Sequence, residues 1–177
     1  MNKDELSSSI EVSGRVVLAL VHVMGAFRHL ALDILRESGI ENPEEDRWYP
    51  LRSFLDAFDT IVERIGPNTL SAIGRQIVAQ APFPAEIDHP KAALSGLDEA
   101  YRAEHRGGEV GHYHFEVKGP RQGLMTSTTP YPDSFDRGLI RALVEKFEPQ
   151  GVIDVRLQKS TEPANARSHG HTYSVSW

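Results

Sequence analysis

At 177 residues with no cysteine, the chain is long enough to bury an apolar core, and it excludes disulfides, thiol nucleophiles, thiolate-bound zinc and cysteine-ligated iron–sulfur clusters. Its 19 Lys and Arg against 25 Asp and Glu give a net charge of −6 without a dense basic run, so no nucleic-acid partner is expected: backbone binding needs a positive patch that releases counterions. The longest apolar stretch, residues 16–27, contains His22 and runs straight into Arg28 and His29, which is too short to span a membrane, and "MNKDELSSS" lacks the apolar core of a signal peptide; the expected location is the cytoplasm.

From Ser13 to Glu37 the spacing predicts one long helix, with Val16, Leu20, Val23, Met24, Phe27, Leu30, Ala31 and Ile34 on a broad apolar face. A polar stripe of Arg15, His22, His29 and Arg36 recurs every seven residues and reads as a partly solvated surface rather than a ligand set. Val17, Leu18, Val21 and Leu32 fill the remaining sides, so burial on two sides is expected, with a second copy of the chain as the cover. Gly39 closes this helix, and "ENPEEDRWYP" is a polar connector. Leu51, Phe54, Leu55, Phe58, Ile61, Val62 and Ile65 mark a second helix; "GPN" at 66–68 ends it and opens a third, from about Pro67 to Gln80. After "APFPAEIDHP", a fourth is expected from about Lys91 to His105.

Near residue 110 the period changes from that of a helix to that of a strand. Residues 110–118 alternate, "GPRQG" turns the chain, and "LMTSTT" returns as the second strand of a hairpin. "PYPDSFDRGLIRALVEKFEP" is a helix with Asp133 as expected N-cap and Pro149 beyond its end, and "GVIDVRLQK" and "HTYSVSW" are two further strands. The expected fold class is α+β: one domain over 1–177, with an N-terminal helical layer (1–107) followed by a ββαββ antiparallel sheet (108–177) and a cavity along the seam between helices and sheet. Trp48, Tyr49, Phe54 and Phe58 are candidates for its walls and equally for the core.

Two His-x-His pairs stand out, His112/His114 and His169/His171, because residues two apart on a strand share a face and imidazoles suit zinc, iron, copper and nickel. Parity separates them. His112 and His114 lie opposite the apolar Tyr113, Phe115 and Val117, whereas His171 sides with Tyr173, Val175 and Trp177, so one four-histidine site is not expected. The first pair then belongs to a surface or pocket rim, and His169 and His171 with a nearby carboxylate form a smaller metal candidate. Asp133 and Asp136 are explained by the unsatisfied amides and dipole of a helix N-terminus, and Arg137 and Arg167 either pair with them or receive an anionic ligand. Tyr131, Arg137, Arg167, His112 and His114 are the candidate ligand contacts. No nucleophile elbow, phosphate loop or dinucleotide fingerprint is present.

The segments "TPYPDSFDRGLIRALVEKFEP" and "NARSHGHTYSVSW", with "WYPLRSFLDAF", "IGPNTLSAIGRQI" and "GHYHFE" before them, resemble bacterial proteins of the 4-vinyl reductase and heme-nitric-oxide-binding-like superfamily, which includes TRAPP-type subunits. The resemblance covers the chain from about residue 48. It implies an α+β fold that binds or senses a small molecule, often as a dimer. Relatives commonly carry cysteines where this chain has Asp133, Ala166 and His171, so cysteine chemistry is not expected here. The replacement implies either a decayed site or a harder Asp133, His169 and His171 centre for zinc or iron.

The leading expectation is a small-molecule-binding or sensory domain without catalysis, homodimeric and free of nucleic-acid or membrane partners. A metal-dependent enzyme using a His/Asp centre is the alternative, and a structural dimerisation module is a third.

Overall fold

The structure, a computed structural model, describes residues 7–158 and 170–177. Its first helix breaks where a single helix is expected. Helix α1 spans Gly14–Val23, a 3₁₀ turn covers Gly25–Phe27, and α2 runs over Arg28–Glu37, the two helical segments being bent by 110°. Gly25 sits at φ +46°, a conformation that costs glycine little and ends an α-helix for most other residues. The break corrects two expectations. Phe27, assigned to the apolar face, is 69% exposed, and Leu20 is wholly buried within its own chain. On the side of α1 expected to meet a second copy, Val17 and Val21 are buried within the chain, in part by the fourth helix, and Leu18 is half-buried.

The other helices are α3 (Leu51–Arg64), α4 (Asn68–Gln80), α5 (Pro90–Ser95), α6 (Leu97–Ala103) and α7 (Asp133–Phe147). The fourth expected helix is thus two short ones that meet at Gly96. No single described helix is long and apolar enough to cross a membrane.

Three short strands, β1 (Glu11–Ser13), β2 (Trp48–Pro50) and β3 (His105–Arg106), form an antiparallel sheet of order β2-β1-β3 within the part expected to be helical. At two or three residues each they are too short for alternation to register in sequence. The expected ββαββ unit is present. Strands β4 (Tyr113–Gly119), β5 (Gln122–Ser127), β6 (Asp154–Leu157) and β7 (His171–Ser176) pair antiparallel in the order β4-β5-β7-β6. Ser127 pairs with Tyr113 on one side and His171 on the other, so these three share a face, as Phe115, Met125 and Tyr173 do two residues along.

Helix α7 joins the two halves. A Cβ placed on Gly74 of α4 would stand 2.6 Å from the carbonyl oxygen of Phe135, and one on Gly138 of α7 would stand 2.1 Å from that of Ser71. The helices therefore cross with backbone against backbone. Around this crossing Phe58 of α3 packs on Phe54 and Phe135, with ring centroids 4.7 and 5.4 Å away, and ties the helical layer to α7.

Replacing Gly with Ala in an unobstructed helix stabilises by roughly 0.5–1 kcal/mol. Here Gly138→Ala and Gly74→Ala are expected to do the opposite, lowering stability by about 1–3 kcal/mol through overpacking. Urea unfolding monitored by circular dichroism reads the sign directly; a gain in midpoint would show that the helices are not in backbone contact.

Candidate functional site

A cavity of about 570 Å³ is lined by residues of α1, α4, α5, α6 and α7 and of the loop that includes residues 81–87. Val16 and Leu18 come from α1, Ile77 and Val78 from α4, Phe83 and Ile87 from the loop, and Phe135, Leu139 and Leu143 from α7. The seam is between helices. No residue of β4–β7 lines the cavity, which corrects its expected position between helices and sheet. Trp48, Tyr49, Phe54 and Phe58 are not in its walls either. Phe54 and Phe58 are fully buried core, the Tyr49 hydroxyl accepts the Glu44 N–H at 2.7 Å, and the Arg106 guanidinium covers Trp48 at 4.5 Å.

The polar part of the wall is built by the end of α6 and the segment before α7. His105 follows Tyr101 by one helical turn, and its Nδ1 lies 2.7 Å from the Tyr101 carbonyl. A carbonyl only accepts, so Nδ1 carries the proton, and Nε2 accepts from the Tyr131 hydroxyl at 2.9 Å. Burial lowers the His105 pKa and keeps the ring neutral. Burial likewise pushes Tyr101 and Tyr131 well above the usual phenol range, so both keep their protons. The Tyr101 hydroxyl donates to the Val110 carbonyl at 2.6 Å, and Tyr131 stacks on Phe135 with centroids 4.6 Å apart. Nearer the rim, Arg15 meets Glu104 at 2.7 Å, the Ser13 hydroxyl donates to the same carboxylate, and His22 Nδ1 lies 3.1 Å from the Gln80 amide nitrogen.

Of the candidate ligand contacts, Tyr131 lines this cavity, and so do Arg15 and His22 of the polar stripe. Arg137 lies 3.3 Å from Asp133 along α7 and does not. His112 and His114 are exposed on the outer side of β4, His112 beside Glu109 at 3.1 Å, while His171 stands on the face of Tyr113 and Ser127. Arg167 and His169 lie outside the described residues. Among the described residues no group of three or more His, Asp and Glu is placed to hold a metal ion. Tyr101 and His105 were not singled out. Their signal, an i,i+4 aromatic–histidine pair, looks like any helix end until Tyr131 is brought to it by the chain's return.

A second polar cluster lies between α7 and the sheet. Asp136 is fully buried, the Tyr113 hydroxyl donates to its Oδ1, and the Ser127 and Tyr173 hydroxyls face it. Its Oδ2, the Oδ1 of Asp133 and the Tyr173 hydroxyl make no hydrogen bond among the described residues. Burial raises the Asp136 pKa to about 7, and the nearby Asp133 carboxylate pushes the same way. The expected N-cap role of Asp133 is corrected: Pro132 holds that position without a side-chain cap, Asp133 is the first residue of α7 and lies beside Arg137, and Asp136 is turned inward from that same turn.

No family model matches the chain. Among solved structures it is similar to an H-NOX protein from K. algicida in the Fe(II) unliganded state, at 11% identity and a TM-score of 0.66 over 93% of this chain and 95% of that one. An H-NOX protein from S. oneidensis in the Fe(II)NO ligation state gives 11% identity and a TM-score of 0.67 over 92% and 97%. A structure concerned with heme redox potential and protein-induced porphyrin distortion gives 15% and 0.64 over 93% and 99%. At these identities the likeness establishes the α+β fold alone.

The Asp136 carboxyl has a folded-state pKa of about 7 against an ordinary 3.8, so the folded chain holds a proton there that the unfolded chain releases. Its stabilising contribution is complete below about pH 4, declines as pH rises and is gone above about pH 7. Asp136→Asn removes this titration while keeping an acceptor for Tyr113. Melting temperatures from pH 4.5 to 8 are expected to fall more in the parent protein than in Asp136→Asn; parallel curves would place an ionised carboxylate there throughout.

Proposed function

We propose that the chain is a small-molecule-binding sensory domain of the 4-vinyl reductase-like kind, which holds one apolar ligand in the interhelical cavity and acts by binding rather than by catalysis. The observation that carries this reading is the cavity itself. Its volume of about 570 Å³ and mostly apolar walls match small-ligand sites of roughly 300–1,000 Å³, and His105 with Tyr131 supplies the few fixed polar atoms such sites use for orientation. The shared fold supports it in a general way, since H-NOX structures are described with bound iron and NO.

Heme, named for one of the similar structures, does not fit this lining. An axial histidine needs a free lone pair, and among the described lining residues the acceptor nitrogen of each imidazole is taken, Nε2 of His105 by Tyr131 and Nδ1 of His22 by Gln80. The heme carboxylates need cationic partners, and Arg15, the one arginine among the described lining residues, is already held by Glu104.

Helix α7 is the element that would report occupancy. Phe135, Leu139 and Leu143 face the cavity, while Asp136 faces Tyr113 of the sheet. Tyr101 bridges the same gap, packing edge-on against both Tyr113 and Tyr131.

Nile red, an uncharged apolar fluorophore, is expected to bind with enhanced emission and saturate at one per chain. Ala100, exposed and in the cavity wall, accepts a larger side chain without repacking the core, and Ala100→Trp is expected to abolish the signal. A parent protein that does not bind, or a variant that binds equally, would remove the cavity as the site. Hemin is expected to give no stoichiometric Soret shift; a shift lost in His105→Ala would replace the present ligand reading with heme.

A further inference from the structure

Resting on the binding role proposed above, we infer that the cavity selects an apolar molecule whose polar end is a hydrogen-bond donor, neutral or cationic, such as an amine or alcohol, and discriminates against carboxylates.

The inner wall has donors that are already spent. The Tyr131 hydroxyl gives its hydrogen to His105 Nε2, the Tyr101 hydroxyl gives its own to the Val110 carbonyl, and His105 Nδ1–H points at the Tyr101 carbonyl. With their protons spent, these lining groups have only the lone pairs of two phenolic oxygens and the faces of their rings to offer a ligand. An alcohol or amine can donate to those oxygens, and an ammonium is also attracted by the ring faces. A carboxylate finds no proton there and loses its hydration without replacement.

Charge in the wall points the same way. Its charged side chains are Arg15, Glu45 and Glu104. Arg15 is balanced by Glu104 at 2.7 Å, and Glu104 also accepts from Ser13. Glu45 has no ion pair among the described residues, which leaves the lining with an excess of one carboxylate when the histidines are neutral. His105 is held neutral by burial. His22, the other imidazole, has its Nδ1 accepting from Gln80, so its Nε2–H is a donor, but it sits at the exposed rim, away from the inner wall of Tyr101, His105 and Tyr131. Among the described lining residues, Arg15 is the sole fixed cation, and an anion that recruited it would do so beside Glu104.

Competition for Nile red by octylamine, 1-octanol and octanoate at pH 7.5 tests this with the chain length held constant. Octylamine and octanol are expected to displace the dye at concentrations at least about ten-fold lower than octanoate, the size of effect that one unpaired, desolvated charge readily produces. Glu104→Gln, which leaves Arg15 unbalanced, is expected to narrow that ratio by strengthening octanoate. Octanoate competing as well as the other two in the parent protein would overturn the charge preference while leaving the cavity reading intact. Dye that does not bind the parent, or binds Ala100→Trp equally, would overturn both.

Discussion

The architecture depends on one close approach, the crossing of α4 and α7 at Gly74 and Gly138. With no Cβ on either glycine, the carbonyls of Phe135 and Ser71 occupy space that any other residue would claim. Helix packing at ordinary separation, roughly 8–10 Å between axes, relies on side chains interleaving as ridges and grooves. Here the backbones themselves meet. That contact sets α7 so that Phe135, Leu139 and Leu143 face a cavity between helices while Asp136, on the same helical turns, faces the sheet.

The two sides of α7 handle polarity differently. On the cavity side, Tyr101, His105 and Tyr131 satisfy one another and the local backbone, so this part of the wall is uncharged and has lone pairs rather than protons to offer. Between α7 and the sheet, hydroxyls of Tyr113, Ser127 and Tyr173 face Asp136, but its second oxygen makes no hydrogen bond among the described residues. A buried carboxyl in that setting favours its protonated form, since ionising it without a counter-charge costs far more than in water. Tyr113 touches both systems, donating to Asp136 and packing edge-on against Tyr101. The tyrosines thus link the cavity to the sheet by direct contact.

Local pattern was a good guide wherever one period dominated. The alternation of residues 110–118, the "GPRQG" turn before "LMTSTT" and the 3.6-residue spacing after Asp133 yielded β4, β5 and α7, and strand parity assigned His112 and His114 to one side and His171 to the other. It misled where a single residue overrode the period. Gly25 is compatible with a continuous helix from Ser13 to Glu37, yet its positive φ turns the chain by 110° and exposes Phe27. The short strands β1, β2 and β3 were invisible for another reason: strands of two or three residues are stabilised by distant partners and carry no internal repeat.

Sequence alone determined that no thiol chemistry is available, that the chain is α+β with a ββαββ unit at its C-terminal end, and which strand histidines face apart; composition, period and parity are local properties, written in neighbouring residues. Only tertiary structure decided where the cavity lies and what lines it. Its polar wall joins Tyr101 and His105 to Tyr131, twenty-six residues beyond His105, and its charged rim joins Arg15 to Glu104, eighty-nine residues apart. Such pairs exist because chain closure brings them together, and no regularity within either segment encodes the meeting.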